Sequence, residues 1–248
     1  MIDTHAHLDA CADPPPSLIA RAREAGVTRI LDVATSARAG RRSLELAEEH
    51  DEVFAILGIH PHESAAARAG DVESLRELLG HRRAVALGET GLDFFRDYAP
   101  RQRQLELFKR QLDLAAELDL TAVIHTRAAD DETLRELERF PGTVVLHCFS
   151  SPGLLAAARE RDYYVSFAGN VTYPSAEELR SAAAAVPAAR ILAETDCPYL
   201  APQPRRGRPN EPANVIHTLA ALAEARGEDR AVLEARIEAN ARAAFSLP

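Results

Sequence analysis

With 248 residues, 46% of them apolar, the chain is long enough to bury a sizeable core as one large α/β domain or two small ones. A formal net charge of −9 argues against broad nonspecific adhesion to nucleic acid or anionic membrane, but leaves room for a focused basic patch. No Lys/Arg-led apolar run opens the sequence, no apolar stretch approaches the ~20 residues of a membrane span, and the three widely spaced cysteines contain no C-x-x-C pair, so a reduced, cytoplasmic chain is expected.

Short apolar runs rich in Val, Ile and Leu recur along the chain. They are "MIDTHAHL" at the start, "VTRILDVA" from Val27, "VFAILGIH" from Val53 and "RAVALGET" from Arg83. "LTAVIHT" from Leu120, "GTVVLHCFS" from Gly142, "DYYVSFAG" from Asp162 and "RILAETD" from Arg190 follow. Runs of this kind suit strands covered on both faces. Stretches with helical character lie between them, among them "PPPSLIARAREAG", "RQRQLELFKRQLDLAAEL" and "SAEELRSAAAAV". The first carries prolines at its start and Gly26 at its end, the punctuation of a helix. The Ala-rich segment 182–189 is expected to be helix interior, and a long helical tail is expected from about Glu211.

Eight strands alternating with helices in this length predict a single (β/α)8 TIM barrel spanning 1–248, of the α/β class. The alternative is an open doubly wound sheet. That fold usually carries a Gly-rich phosphate loop after an early strand, and neither G-x-G-x-x-G nor a Walker sequence is present.

Metal-capable residues gather at the ends of these runs. His5 and His7 end the first, His60 the third, Glu89 the fourth, His125 the fifth and His147 the sixth, while Asp196 follows the eighth. In a (β/α)8 barrel the C-terminal strand ends share one rim, and that rim holds the active site. Strand alternation puts Asp3, His5 and His7 on one side, where both imidazoles can reach one ion. Without an ion, burying these groups would cost several kcal/mol each, on the order of the penalty for an unpaired polar group.

Four histidines and two carboxylates exceed the needs of one cation, because a catalytic zinc takes about three protein ligands. Two divalent ions (Zn, Mg or Mn) bridged by a carboxylate fit better. The only lysine, Lys109, sits on an expected helix, which excludes a carbamoylated-lysine bridge and leaves Glu89 in the bridging position. His5, His7 and Asp196 are expected on the first ion, His125 and His147 on the second, and Glu89 on both. Two ions roughly 3.5–4 Å apart lower the pKa of a water between them, and the resulting hydroxide would attack the electrophilic centre of the substrate. Asp196 would orient that water and take its proton.

The pieces "DTHAHLD", "GIHPH", "GETGLDFFRD", "VIHTR", "LHCFS", "ETDCPYLAP" and "RGRPNEP" run in order from residue 3 to residue 212. As a set they resemble the TatD family of metal-dependent deoxyribonucleases, within the amidohydrolase-type barrel superfamily. The resemblance implies a (β/α)8 barrel, divalent metals and hydrolysis of DNA phosphodiesters, often from an end. The family's ligand pattern falls on His5, His7, Glu89, His125, His147 and Asp196. Phe94 stands where family members often carry tyrosine.

Asp3 is a candidate support for these ligands. His60 and His62 in "GIHPH" could meet substrate phosphate at the rim. Arg127, two residues after His125, is a candidate phosphate clamp, and Arg96 a weaker one. Arg205, Arg206 and Arg208 form the densest late basic cluster. Cys148 and Cys197 are expected to be small packing residues. The acidic balance of the chain suits short engagement of a single-stranded DNA end rather than tracking along duplex. The competing function is hydrolysis of a small ester, lactone or amide on the same scaffold; a third class is metal binding without turnover. No obligate protein partner is evident.

Overall fold

The computed structural model describes residues 1–68 and 70–248. Among them, eight strands form one sheet in the order of the chain. They are β1 (Ile2–Ala6), β2 (Arg29–Ala34), β3 (Val53–Leu57), β4 (Ala84–Asp93), β5 (Thr121–Arg127), β6 (Val144–Leu146), β7 (Tyr164–Phe167) and β8 (Ile191–Ala193). The intervening helices are α1 (Pro15–Glu24), α2 (Ala37–Glu49), α3 (Asp71–Leu79), α4 (Arg101–Glu117), α5 (Asp130–Leu137), α6 (Leu155–Glu160) and α7 (Glu177–Ala185). Two more, α8 (Val215–Arg226) and α9 (Arg230–Phe245), follow the last strand. Parallel strands in sequence order, each joined to the next through a helix, make a (β/α)8 barrel. Each expected run overlaps one of the eight strands, and only β4 and β5 extend beyond theirs.

The chain divides into two compact units, Met1–Asp32 with His147–Pro248, and Val33–Leu146. In the first, β1 pairs in parallel with β2, and β7 with β8. Every residue of β1 is buried, as expected for a strand covered on both faces. Helices α8 and α9 pack against β8, and Leu222, Leu233, Ile237 and Phe245 are buried. The two helices are separate because Gly227, at φ 62°, ends α8 in the left-handed conformation. The Asp229 carboxylate then caps α9 by accepting from the Ala231 and Val232 N–H groups. The expected helix interior at 182–189 is corrected: α7 stops at Ala185, and Val186 is extended because the following Pro187 disfavours helical backbone there.

In the second unit β4 is the central strand, paired in parallel with β3 and β5, and β5 pairs with β6. Helices α2, α3 and α4 cover these strands. Phe108, Leu75, Ile56, Leu57 and Leu87 are fully buried, each contributing about 1.5–3 kcal/mol. Strand β4 runs on to Asp93, beyond the expected end at Glu89.

Two of the strands that bear candidate ligands, β1 and β4, carry a bulge beside them. Between Asp3 and Ala6, β1 advances three residues while β2 advances two, from Ile30 to Asp32. Between Leu87 and Thr90, β4 advances three while β5 advances two, from Ala122 to Ile124. A bulge re-aims the side chains beside it, so His5 and Glu89 escape strict alternation.

Candidate metal centre

In the first unit the chain leaving β1 runs beside the chain leaving β8. The Asp196 N–H donates to the His5 carbonyl at 2.9 Å and the His7 N–H to the Cys197 carbonyl at 2.8 Å. Asp196 itself sits at φ 52°, a left-handed conformation that costs a non-glycine residue about 1–2 kcal/mol. The bonds on either side hold it there, including donation from the Tyr199 N–H to its carbonyl at 2.9 Å.

His5, His7 and Asp196 are all buried, and their ligand atoms lie within 4.8 Å of one another. The two Nε2 atoms are 3.3 Å apart, and Asp196 Oδ1 is 3.6 Å from His7 Nε2 and 3.9 Å from His5 Nε2. Burial pushes the Asp196 carboxyl up, but the hydrogen bond from His7 and the neighbouring His147, His5 and His7 outweigh it, so its pKa falls below the ordinary value. The His147 ring stacks on His5 at 3.9 Å, and its Nδ1 lies 3.3 Å from Glu194 Oε1. A carboxylate in this position is how metal-ligating imidazoles are commonly oriented.

Three further residues brace this set. Asp3, fully buried, accepts from the Thr195 N–H at 2.8 Å and hydroxyl at 2.6 Å. Burial pushes the Asp3 carboxyl up to about 8 against these donations. Asn210 donates to the carbonyls of Thr195 and Tyr199 at 3.0 and 2.5 Å, on both sides of Asp196. Glu194 also accepts from the Cys148 N–H at 2.7 Å.

In the second unit Glu89, His60 and His125 form a comparable set, again with ligand atoms within 4.8 Å. His125 Nδ1 is 2.7 Å from Glu89 Oε1, and its Nε2 is 3.2 Å from Asp93 Oδ2. Gly91 makes this approach feasible. It pairs with His125 in the sheet, and a Cβ at its φ of 140° would stand 2.0 Å from the His125 carbonyl oxygen. His60 Nδ1 accepts the His62 N–H at 3.1 Å, which leaves the proton of a neutral ring on Nε2, 3.4 Å from Glu89 Oε1. Burial pushes the His60 pKa down to about 4, partly offset by Glu89, so the ring is neutral near pH 7. His60 therefore stands as a donor to Glu89 within this set.

Asp93 organises the opposite edge. Its Oδ2 meets His62 Nε2 at 2.9 Å as well as His125, and its Oδ1 accepts from the Phe95 and Arg96 N–H groups at 3.0 and 2.9 Å. Burial pushes this carboxyl up, but the donations from His125, Arg96 and His62 win and hold it well below the usual carboxylate range. Two buried glutamines of α4 fix the loops. Gln111 bonds Ile59 through both its N–H and its carbonyl and donates to Thr90 Oγ1, while Gln104 bonds Asp93 through both. They are seven apart, so they share one helix face.

Of the arginines, Arg127 is exposed, with Cζ 4.0 Å from the centroid of the Phe95 ring. Arg96 lies over the same ring at 5.4 Å. Arg205, Arg206 and Arg208 are exposed on the loop that Asn210 pins to Thr195, and Arg206 stacks on Tyr173 at 4.5 Å. Lys109 points outward from α4 to Glu136 at 3.4 Å, away from any bridging role. Cys197 is buried, and Cys148 is half-buried. Sequence reading missed Asp93, Gln104, Gln111, Glu194, Thr195 and Asn210 as supports. The readable signals were the carboxylate of "ETD" two before Asp196, and two glutamines one heptad apart on an otherwise apolar helix face.

Both sets offer two imidazoles and a carboxylate, donor types that zinc and manganese accept. The close clustering of these donors, buried in the first set and partly buried in the second, fits a divalent cation better than an ordinary polar core.

A family model described as TatD related DNase matches residues 2–246. The chain is 38% identical over 262 residues to an uncharacterized metal-dependent hydrolase TatD of Mycobacterium tuberculosis, covering 100% of this chain and 98% of that one. It is 39% identical over 240 residues to a 3'-5' ssDNA/RNA exonuclease TatD of Cronobacter sakazakii, covering 92% and 90%. Among solved structures it is similar to the TatD homologue YJJV of Escherichia coli, with a TM-score of 0.93 and 34% identity, covering 100% and 98%. By a family model along nearly its whole length, and by relatives matched almost end to end, the chain belongs to the TatD-related DNase family of metal-dependent hydrolases.

Proposed function

We propose that the protein hydrolyses phosphodiester bonds at the ends of single-stranded nucleic acid, DNA foremost, with divalent cations held by its histidine–carboxylate sets. The observation that carries metal-dependent hydrolysis is the buried convergence of His5, His7 and Asp196, matched by Glu89 with His125 beside His60. The nucleic-acid substrate is supported by similarity to relatives named 3'-5' ssDNA/RNA exonuclease, 36–39% identical. His147 belongs to the ligand pattern by resemblance.

His5, His7 and Asp196, and Glu89 with His60 and His125, would hold divalent cations, whose chemistry there would be polarisation of phosphoryl oxygens and a lowered pKa for water. The protein's own residues supply the rest. Asp196, kept ionised by its imidazole neighbours, orients the attacking water and accepts its proton at a carboxylate oxygen as the new P–O bond forms and the ester P–O bond breaks, and the leaving oxygen takes up a proton from solvent. His60 steadies Glu89, and Asp93 sets the ring planes of His62 and His125. Arg127 and the Arg205, Arg206 and Arg208 loop hold flanking phosphates. The global charge of −9 does not oppose this, because cationic charge is needed only where the scissile phosphate sits.

The test is cleavage of end-labelled single-stranded DNA by Glu89→Ala and Asp196→Ala, with circular dichroism on each. Turnover should fall by more than about 100-fold, beyond the roughly 10- to 100-fold lost when a residue behind a metal ligand is removed, while the spectra stay native. Full activity in either variant removes the assigned roles. Turnover of an ester or lactone with no cleavage of nucleic acid replaces the nuclease with the small-substrate hydrolase.

A further inference from the structure

Among the described residues four large apolar or aromatic side chains are well exposed, Phe95, Tyr98, Tyr199 and Val232, and the segment after β4 supplies the first two. Phe95 is 60% exposed and Tyr98 61% exposed. Neither is stranded there by a floppy loop. The Phe95 and Arg96 N–H groups are anchored on Asp93 Oδ1, the same carboxylate whose Oδ2 meets His62 and His125. Tyr98 sets its ring edge-on to His62 at 4.7 Å. Two guanidinium groups lie over Phe95, Arg127 at 4.0 Å and Arg96 at 5.4 Å, and the ring keeps its exposure with both in place.

We infer that Phe95, with Arg127 stacked on it, is a base-stacking platform that receives an unpaired base at the 3' end of a single-stranded substrate. This rests on the nuclease reading and assigns the part of the substrate that the metal ligands do not touch. An exposed aromatic ring offers any base a flat partner, and a guanidinium plane stacks on bases equally well. The Arg127 fork still has donors at its edge for the adjoining phosphate while its face lies on the ring. A local cationic surface within an acidic chain selects a polyanion without making the whole protein adhesive. A base inside a duplex is already stacked and paired, so the platform favours single-stranded ends. The anchoring through Asp93 ties the platform to His125, so the seated base fixes which linkage lies near the site.

The test compares two 5'-labelled oligonucleotides, one ending in three 3' purine nucleotides and one with abasic residues at those positions. Fluorescence of 2-aminopurine at the 3' terminus, followed on EDTA-treated protein, reports stacking without cleavage. Wild type should prefer the base-bearing end by roughly 5- to 100-fold in kcat/KM, the range of one aromatic–base stack. Phe95→Ala should erase that preference, chiefly through KM, and with it the 2-aminopurine response. Phe95→Trp should restore both. If wild type cuts both ends equally, or Phe95→Ala keeps the wild-type preference, the platform is overturned and the nuclease stands. If wild type cuts neither oligonucleotide with any divalent cation, the nuclease reading falls and the platform falls with it.

Discussion

Asp3 accepts two hydrogen bonds from Thr195, one from its N–H at 2.8 Å and one from its hydroxyl at 2.6 Å, and all of these groups are buried. Residues 192 positions apart are thereby locked together, and Asp196, the next residue, inherits its place. Asp3→Ala leaves the Thr195 N–H without its acceptor and should lower unfolding stability by about 2–3 kcal/mol. Asp3→Asn keeps an acceptor oxygen and should lose less. Urea unfolding of EDTA-treated protein, with metal content measured on the untreated variants, checks both; equal stability of Asp3→Ala and wild type would refute the brace.

Asp93 joins the ligand side of the site to the surface side. Asp93→Asn retains an oxygen for the Phe95 and Arg96 N–H groups but replaces the acceptor facing His62 and His125 with a donor. Turnover should fall about 10- to 100-fold with the fold intact, as for partners that orient metal ligands. Unchanged kcat together with unchanged metal affinity would leave Asp93 a purely structural residue.

His60 makes stability depend on pH. Its pKa drops from 6.5 in the unfolded chain to about 4 in the folded one. A depressed pKa gives stability that is present above 6.5 and lost as pH falls toward 4. The shift corresponds to roughly 3 kcal/mol for the metal-free protein. Chemical denaturation of EDTA-treated wild type and His60→Gln from pH 8 to 4 should show a shallower decline in the variant by about that amount. Parallel curves would contradict a neutral, buried His60.

The arginines are tested through salt. Alanine at Arg127, or at Arg205, Arg206 and Arg208 together, should weaken binding of single-stranded DNA and reduce the salt slope by about 0.7 per lost phosphate contact. Metal content should not change, because none of these side chains belongs to the clustered ligand atoms. Variants that keep the wild-type slope while wild type cleaves DNA would exclude these arginines as contacts.

The strands were legible because each is a short apolar run, and His5, Glu89, His125 and Asp196 were legible because a polar residue interrupts or ends such a run. Their supports were harder to read. Asp3 has the parity of His5, yet it turns to Thr195, a partner far away in sequence. The bulge in β1 breaks the period of two expected for Asp3, His5 and His7, and a second bulge lies beside Glu89 in β4. The partner of His60 is not legible from its neighbours, because it is Glu89, 29 residues further along the chain. The Ala-rich segment looked helical throughout by propensity, and Pro187 ended it.

Metal-dependent cleavage of nucleic acid is tested most directly by stripping and restoring the cation. Protein treated with EDTA is assayed on end-labelled single-stranded DNA and RNA beside esters and lactones, before and after adding back Mg²⁺, Mn²⁺ or Zn²⁺, with elemental analysis at each stage. The stripped protein should be inactive. Restored protein should bind up to about two ions per chain and regain cleavage of single-stranded ends, as two-metal hydrolysis requires. Cleavage indifferent to the chelator, or no cleavage of nucleic acid with any cation while an ester or lactone is turned over, would contradict the account.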